Sequence, residues 1–184
     1  MNKSNIEFVE LSSSILLTKQ LINFNEETVE IPVNEETRTL VCIGNKQMKK
    51  MKVQISIIEG NDRYEIRTNP QIIILKRYEA VEFEVFVKPL CTTSMIDELR
   101  VVTINMKKGV ETNHSVKISF TTQLSTRLDP DELIDDEQIS DGTFGTVYKG
   151  TFRGQTVSIK KMKNMENEGD QQKMIEEFDK EVKM

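Results

Sequence analysis

Tryptophan is absent from this chain, histidine occurs once and cysteine twice. The lone histidine, His114, sits among Thr112, Asn113 and Ser115, which places it in a turn as an exposed bystander. It therefore offers no base for a Ser-His-Asp or Cys-His arrangement. Cys42 and Cys91 are too few for a disulfide framework or a cysteine metal site, so no metal is expected. Cys42, between Val41 and Ile43, reads as a small buried hydrophobe, and Cys91 as a strand-exit residue. No apolar run approaches the roughly 18 residues of a membrane span. The opening MNKSNIEFVELSSSILLTKQ lacks a basic segment followed by an unbroken apolar stretch, so no signal peptide is read there. Without one, the triplets Asn2-Lys-Ser and Asn113-His-Ser are idle as glycosylation acceptors. A basic excess is also missing. With 30 acidic against 25 basic side chains the net charge is -5, which argues against broad nucleic-acid binding. A cytoplasmic chain with no nucleic-acid partner and no membrane span is the expectation.

What is present is enough for a modest core: 184 residues, 37% hydrophobic and 30% charged. That composition predicts one domain, or one domain plus a piece of another. Charge and texture change together near residue 130. Residues 1–130 carry 17 acidic and 17 basic side chains, whereas residues 131–184 carry 13 and 8. The first part is a series of short β-rich segments: 29–33, 39–43, 53–58, 64–67, 72–75, 81–87, 99–106 and 116–122. Several alternate with the period of a strand, as in V-E-F-E-V-F-V and V-K-I-S-F. Turn chemistry separates them, at Gly44-Asn45, Gly60-Asn61-Asp62, Asn69-Pro70 and Lys108-Gly109. The predicted fold class is mainly β, with an antiparallel immunoglobulin-like β-sandwich over residues 1–125. The tetrapeptide NEET, at 25–28 and 34–37, reads as polar strand-end chemistry and not as a repeat.

Within the sandwich, N-P-x-x-I-x-L at 69–75 and the strand ending Lys88-Pro89-Leu90 resemble the major sperm protein class over about 53–90. That resemblance implies recognition of short peptides, or self-association, along strand edges. The following stretch, 126–138, is rich in carboxylates and contains Pro130, and reads as a solvated acidic linker.

The most informative residues are Ile139-Ser-Asp-Gly-Thr-Phe-Gly-Thr-Val-Tyr-Lys-Gly150 and Val157-Ser-Ile-Lys160. They read as two strands joined by a glycine turn, a second turn at Arg153-Gly154-Gln155 and a third strand. Gly142 and Gly145 leave backbone amides uncovered, so a phosphate chain can approach N–H groups directly. Phe144 at the tip would cover the phosphates. Ile139 and Val147 would offer an apolar surface to a planar base. Lys160 is a point charge suited to α- and β-phosphates.

This pattern resembles the start of a protein kinase domain, whose motifs read G-x-G-x-x-G-x-V and V-A-I-K. Here the frame is Ser140-x-Gly142-x-x-Gly145-x-Val147, then Val157-Ser158-Ile159-Lys160. The resemblance covers about 133–184 and is nearest to the tyrosine-kinase-like group, in particular amoebal receptor-like kinases. It implies a partial small lobe over 139–184, of three strands and one helix. The helix is predicted over 171–184, with Met174, Ile175, Phe178 and Val182 on one face. The resemblance further implies ATP as ligand, with magnesium in an intact kinase. The implied nucleotide contacts are Ile139, Ser140, Asp141, Gly142, Thr143, Phe144, Gly145, Val147, Ser158 and Lys160. Glu181 is the implied partner that holds Lys160 over the phosphates.

Two residues depart from the family pattern. Ser140 replaces the first loop glycine, and is accommodated only if its φ stays negative. Ser158 replaces an alanine facing the base. The 184 residues contain no H-R-D-x-x-x-x-N loop, no D-F-G and no A-P-E segment. The expectation is thus the N-terminal piece of a protein kinase acting on Ser/Thr or Tyr, inactive as this chain alone, with a sandwich that regulates it or binds a peptide. A non-catalytic β-sandwich interaction module with a vestigial nucleotide site is the alternative.

Overall fold

The computed structural model describes residues 7–26, 29–57, 61–143 and 145–163, together with residues 175, 176, 178 and 180. The chain divides into two compact units, Met1–Asp129 and Pro130–Met184.

The first unit contains β1 (Val9–Glu10), β2 (Ile15–Leu17), β3 (Leu21–Asn23), β4 (Thr37–Asn45) and β5 (Met51–Ile57). After them come β6 (Tyr64–Asn69), β7 (Ile72–Leu75), β8 (Ala80–Pro89), β9 (Ser94–Asn105) and β10 (Val110–Thr121). They form two five-stranded sheets, ordered β1-β2-β4-β8-β6 and β3-β10-β9-β5-β7. The two-residue period drives the layering. In β8, Phe83, Val85 and Val87 are fully buried while Glu82 and Glu84 alternate to the outer side. Val41 and Ile43 of β4 join them from the same sheet, and Val53, Leu99, Val101, Val116, Ile118 and Phe120 from the other. Burying these side chains is the main stabilising term of the unit, each contributing on the order of 1.5–3 kcal/mol before entropy is counted.

Aromatic geometry fills the middle. The Phe120 ring lies edge-on to Tyr64 at 5.5 Å and to Phe24 at 6.3 Å between centroids. Tyr64 donates its hydroxyl to Asp97 Oδ2 at 2.7 Å, so the one polar atom of this buried ring is satisfied. Burial, followed by that carboxylate, pushes the phenol well above its ordinary range. Asn45 ties the loops together. Its side-chain amide donates to the carbonyls of Lys49 at 2.8 Å and Lys76 at 2.9 Å, and its oxygen accepts from the Gln47 N–H.

The mainly β class holds, and several details differ from the sequence reading. β1, β2 and β3 go unseen by periodicity because two or three residues are too few to show a period. The segment 29–33 is not a strand; Ile31 makes a single parallel bridge to Thr122. β3 pairs in parallel with β10, so the second sheet is not wholly antiparallel. His114 is not in a turn. It lies within β10 opposite Val101, half-buried, and burial lowers its pKa. The turn of that long hairpin is at 106–109, where Gly109 takes φ 66°, and the polar run 112–115 is strand because β9 pairs its backbone throughout.

The sandwich also runs past residue 125. Leu128 bridges to Thr92, and Asp129 is buried, accepting from Thr93 Oγ1 at 2.8 Å with Arg63 Nε at 3.4 Å. A 3-10 turn follows at Pro130–Glu132, and residue 133 begins a strand. The stretch read as an acidic linker, 126–138, thus belongs to the sandwich as far as Asp129 and then to a 3-10 turn and the start of a strand.

Phe83→Ala removes the largest fully buried side chain of the first sheet. It should lower the unfolding free energy of the sandwich by about 3–5 kcal/mol in a urea titration, with an unchanged slope.

Candidate functional site

The second unit is a three-stranded antiparallel sheet, β11 (Leu133–Asp141), β12 (Gly145–Phe152) and β13 (Gln155–Met162). β12 and β13 are joined by Arg153 and Gly154, whose φ angles of 47° and 78° are both positive. Two such residues make the tight turn whose twist suits a hairpin, and Gly154 takes that conformation without steric cost. The turn pairs Phe152 with Gln155, and the register then runs unbroken to Val147 opposite Lys160 and Gly145 opposite Met162.

Alternation from that register divides the side chains. Val147, Lys149, Ser158 and Lys160 share one face; Tyr148, Phe152, Ile159 and Lys161 share the other. Phe152 and Ile159 are the buried apolar pair of the sheet. Gly150 lies beneath Ile159 because a Cβ there would collide with both the Ile159 Cδ1 and the Ile134 carbonyl. Gly145 is constrained in the same way, since its Cβ would stand 2.7 Å from the Lys161 carbonyl oxygen. Neither glycine has a positive φ, so close backbone approach is what requires them.

β11 buries almost nothing: every residue from Ile134 to Asp141 is exposed. Two register shifts, between Asp135 and Glu137 and between Gln138 and Ser140, interrupt its pairing. Ion pairs distributed along its length compensate. Glu132 Oε2 meets Arg153 Nε at 2.8 Å, Asp135 pairs with Lys161, and Asp141 Oδ1 meets Lys163 Nζ at 2.7 Å. The Asp135 carboxylate raises the Lys161 pKa, and Lys163, then the Thr146 hydroxyl, hold Asp141 below the usual carboxylate range. Of the carboxylates that suggest a solvated linker, Asp135, Asp136 and Glu137 are exposed, and Glu132 and Asp135 each sit where a cation of the small sheet reaches them.

The residues proposed from sequence fall as follows. Ser140 pairs with Val147, and Val147 with Lys160, so the three form one row across the sheet. Ser140 is not among the residues with positive φ. Asp141 lies opposite Thr146, and the Gly142 N–H donates to the Gly145 carbonyl at 2.9 Å, closing the hairpin. Ile139 and Thr143 are exposed, and Ser158 is exposed opposite Lys149. Phe144 and Glu181 lie outside the described residues, and so does the pairing of Glu181 with Lys160. Of the predicted helix, Ile175, Glu176, Phe178 and Lys180 are described with helical backbone, and no bounded helix is delimited among the described residues. Sequence reading gave no part to Thr146, Lys161 or Lys163. The two-residue period over 160–163 would have put Lys161 and Lys163 on the face opposite Lys160. Among the described residues no group of three or more His, Cys, Asp or Glu side chains is placed to hold a metal ion, and no helix is long and apolar enough to cross a membrane.

No protein-family model matches the chain. Among curated proteins it is similar to three from Dictyostelium discoideum. It is 28% identical over 123 residues to "Probable serine/threonine-protein kinase gdt9", covering 67% of this chain and 8% of that protein. It is 23% identical over 132 residues to "Probable serine/threonine-protein kinase gdt4", and 28% identical over 135 residues to the similarly described gdt2. Each of these alignments takes in 72% of this chain and 8% of the relative. The chain therefore spans less than a tenth of the length of these relatives, to which it is a distant, kinase-related sequence. Among solved structures, the ASH/PapD-like domain 7 of human CEP192 superposes with a TM-score of 0.49 at 10% identity, over 68% of this chain and 96% of that one. WR4, a major sperm protein family member of C. elegans, does so with a TM-score of 0.42 at 10% identity, over 61% and 100%.

Two outcomes follow from the way the small sheet is held. Gly150→Ala should destabilise it by about 1–3 kcal/mol, read as faster amide exchange across β12, because the added methyl meets a backbone carbonyl that cannot yield. Raising salt from about 0.05 to 1 M should loosen β11 selectively, since its ion pairs are exposed and the screening length falls to about 3 Å. Exchange along β13 should change little.

Proposed function

We propose that this chain supplies a β-sandwich module and the first part of the nucleotide-binding lobe of an ATP-dependent protein kinase that phosphorylates Ser/Thr or Tyr in proteins. The observation that carries the reading is the row Ser140, Val147 and Lys160, set across three strands directly below a glycine hairpin. The similarity to Dictyostelium kinases also supports it.

In this reading the phosphate chain lies against the hairpin. Gly142 and Gly145 carry no side chain to keep it away, and Phe144 covers it from the tip. Asp141 is the one acidic group in the hairpin, and its charge is already balanced by Lys163 and bonded to Thr146 Oγ1, so an anion is not opposed there. Val147 and Ile139 take the base, with Ser158 and Thr143 at the margins of the same surface. Lys160 holds the α- and β-phosphates as a point charge, and Glu181 orients it. Magnesium-ATP supplies the phosphoryl group, while the residues that hold the metal and receive the substrate proton belong to motifs outside these 184 residues. The function of this chain is thus to bind and orient.

The sandwich is the regulatory or peptide-binding part, in a cytoplasmic protein. Edge strand β7 favours this. It ends the second sheet, is apolar throughout, and leaves Ile72 and Ile74 about half exposed, which suits addition of an extended peptide strand.

A thermal shift with magnesium-ATP tests the proposal. Saturation to about 100 times Kd adds about 2.7 kcal/mol to the unit that binds. Melting of the small sheet should therefore rise with nucleotide in the unsubstituted chain and in Lys88→Ala, and stay flat in Lys160→Ala. A flat response in all three would overturn the nucleotide reading and leave the sandwich as the functional surface.

A further inference from the structure

Lys163 follows the last strand of the small sheet and yet reaches its first. Its Nζ lies 2.7 Å from Asp141 Oδ1 and donates to the Gly142 carbonyl at 3.0 Å. Asp141 accepts a second bond from Thr146 Oγ1 at 2.8 Å, and Gly142 bonds Gly145 through its N–H. The exit of β13, the end of β11, the hairpin tip and the start of β12 are thereby linked in one network. Because the strands lie in the order β11-β12-β13, the lysine spans the full width of the sheet at its glycine end.

An exposed ion pair of this kind is individually weak. Its position gives it leverage. β11 has no buried side chain near this end, and two bulges weaken its pairing, so among the described residues few other side-chain contacts hold this end of the strand. Asp141 is held below the ordinary carboxylate range, first by Lys163 and then by Thr146.

We propose that Lys163, Asp141 and Thr146 form a clamp that holds the glycine hairpin at a fixed height over the Val147–Lys160 row, and that the clamp sets the affinity for a nucleotide polyphosphate. Lys163 is a positioning residue and not a phosphate ligand. If its ammonium moved to a bound phosphate, Asp141 would be left as a bare carboxylate beside that phosphate, and two anions would face each other at the tip. The ligand in this inference rests on the nucleotide reading; the clamp does not.

The test reads the two separately, in the full 184-residue chain. Without nucleotide, Asp141→Asn and Lys163→Met should each speed exchange of the Gly142 amide about two- to five-fold, the range an exposed ion pair is worth. The double variant should be no faster than either single one, and Lys163→Arg should stay near the unsubstituted rate. Unchanged or additive rates overturn the clamp. With magnesium-ATP, both single variants should weaken binding by the same factor of about two to five. If Asp141→Asn tightens binding while Lys163→Met weakens it, Lys163 is a phosphate ligand and the proposal falls. If the unsubstituted chain binds no nucleotide while the exchange pattern is as stated, the nucleotide reading is overturned and the clamp stands.

Discussion

The two-residue turn at Arg153 and Gly154 decides which side chains of the small sheet can meet. Both residues take positive φ, so the chain reverses within two residues and the strands leave it already in register. Because side chains alternate strictly, a slip of one residue would move Lys160 to the face of Ile159 and put Ile159 into water. Burial of Phe152 and Ile159 on one face therefore guarantees that Val147 and Lys160 share the other. The glycines reinforce this register, because Gly145 and Gly150 sit where a neighbouring backbone or Ile159 comes too close for a side chain.

The two units are held by different physics. The sandwich buries a continuous apolar layer between its sheets, with Phe120 packed against Tyr64 and Phe24 at its centre. Several of its buried polar groups are matched, as Thr93 with Asp129 and Tyr64 with Asp97, while the side-chain nitrogen of Asn61 is buried without a partner among the described residues. The small sheet has two buried side chains of any size and relies on a tight turn, close glycine contacts and ion pairs along β11. Such a sheet responds to salt and to charged ligands far more readily than a packed sandwich does.

How much of this was legible in the sequence depends on the length over which a pattern repeats. The alternation of β8, and of β10 from Val116 onward, shows inward and outward faces plainly, because five or more residues repeat with period two. β2 and β3, with three residues each, carry no period, although Ile15, Leu17 and Ile22 are all fully buried. The polar stretch around His114 looked like a turn because composition was its only local signal; strand pairing with β9 is a long-range fact. The acidic run at 131–137 misled for the opposite reason. Most of its carboxylates are exposed, as composition implies, but from Leu133 the run pairs with β12 as an edge strand, and Glu132 and Asp135 meet Arg153 and Lys161. In the candidate site, the glycine spacing and the lysine three residues beyond Val157 were readable as motif, and the structure adds the row that connects them. The part played by Lys163 was hidden, because its partner Asp141 lies 22 positions earlier and only sheet order brings them together.

The central claim is that this register sets Lys160 apart from its neighbours as the lysine facing a nucleotide's phosphates. An ATP analogue carrying a reactive acyl phosphate, which acylates a lysine amine beside the bound phosphate chain, tests it most directly when the labelled peptides are mapped. The account predicts modification of Lys160, suppressed by excess ATP, with Lys161 and Lys163 left largely unmodified. Equal labelling of the three lysines, or labelling that ATP does not suppress, would contradict it.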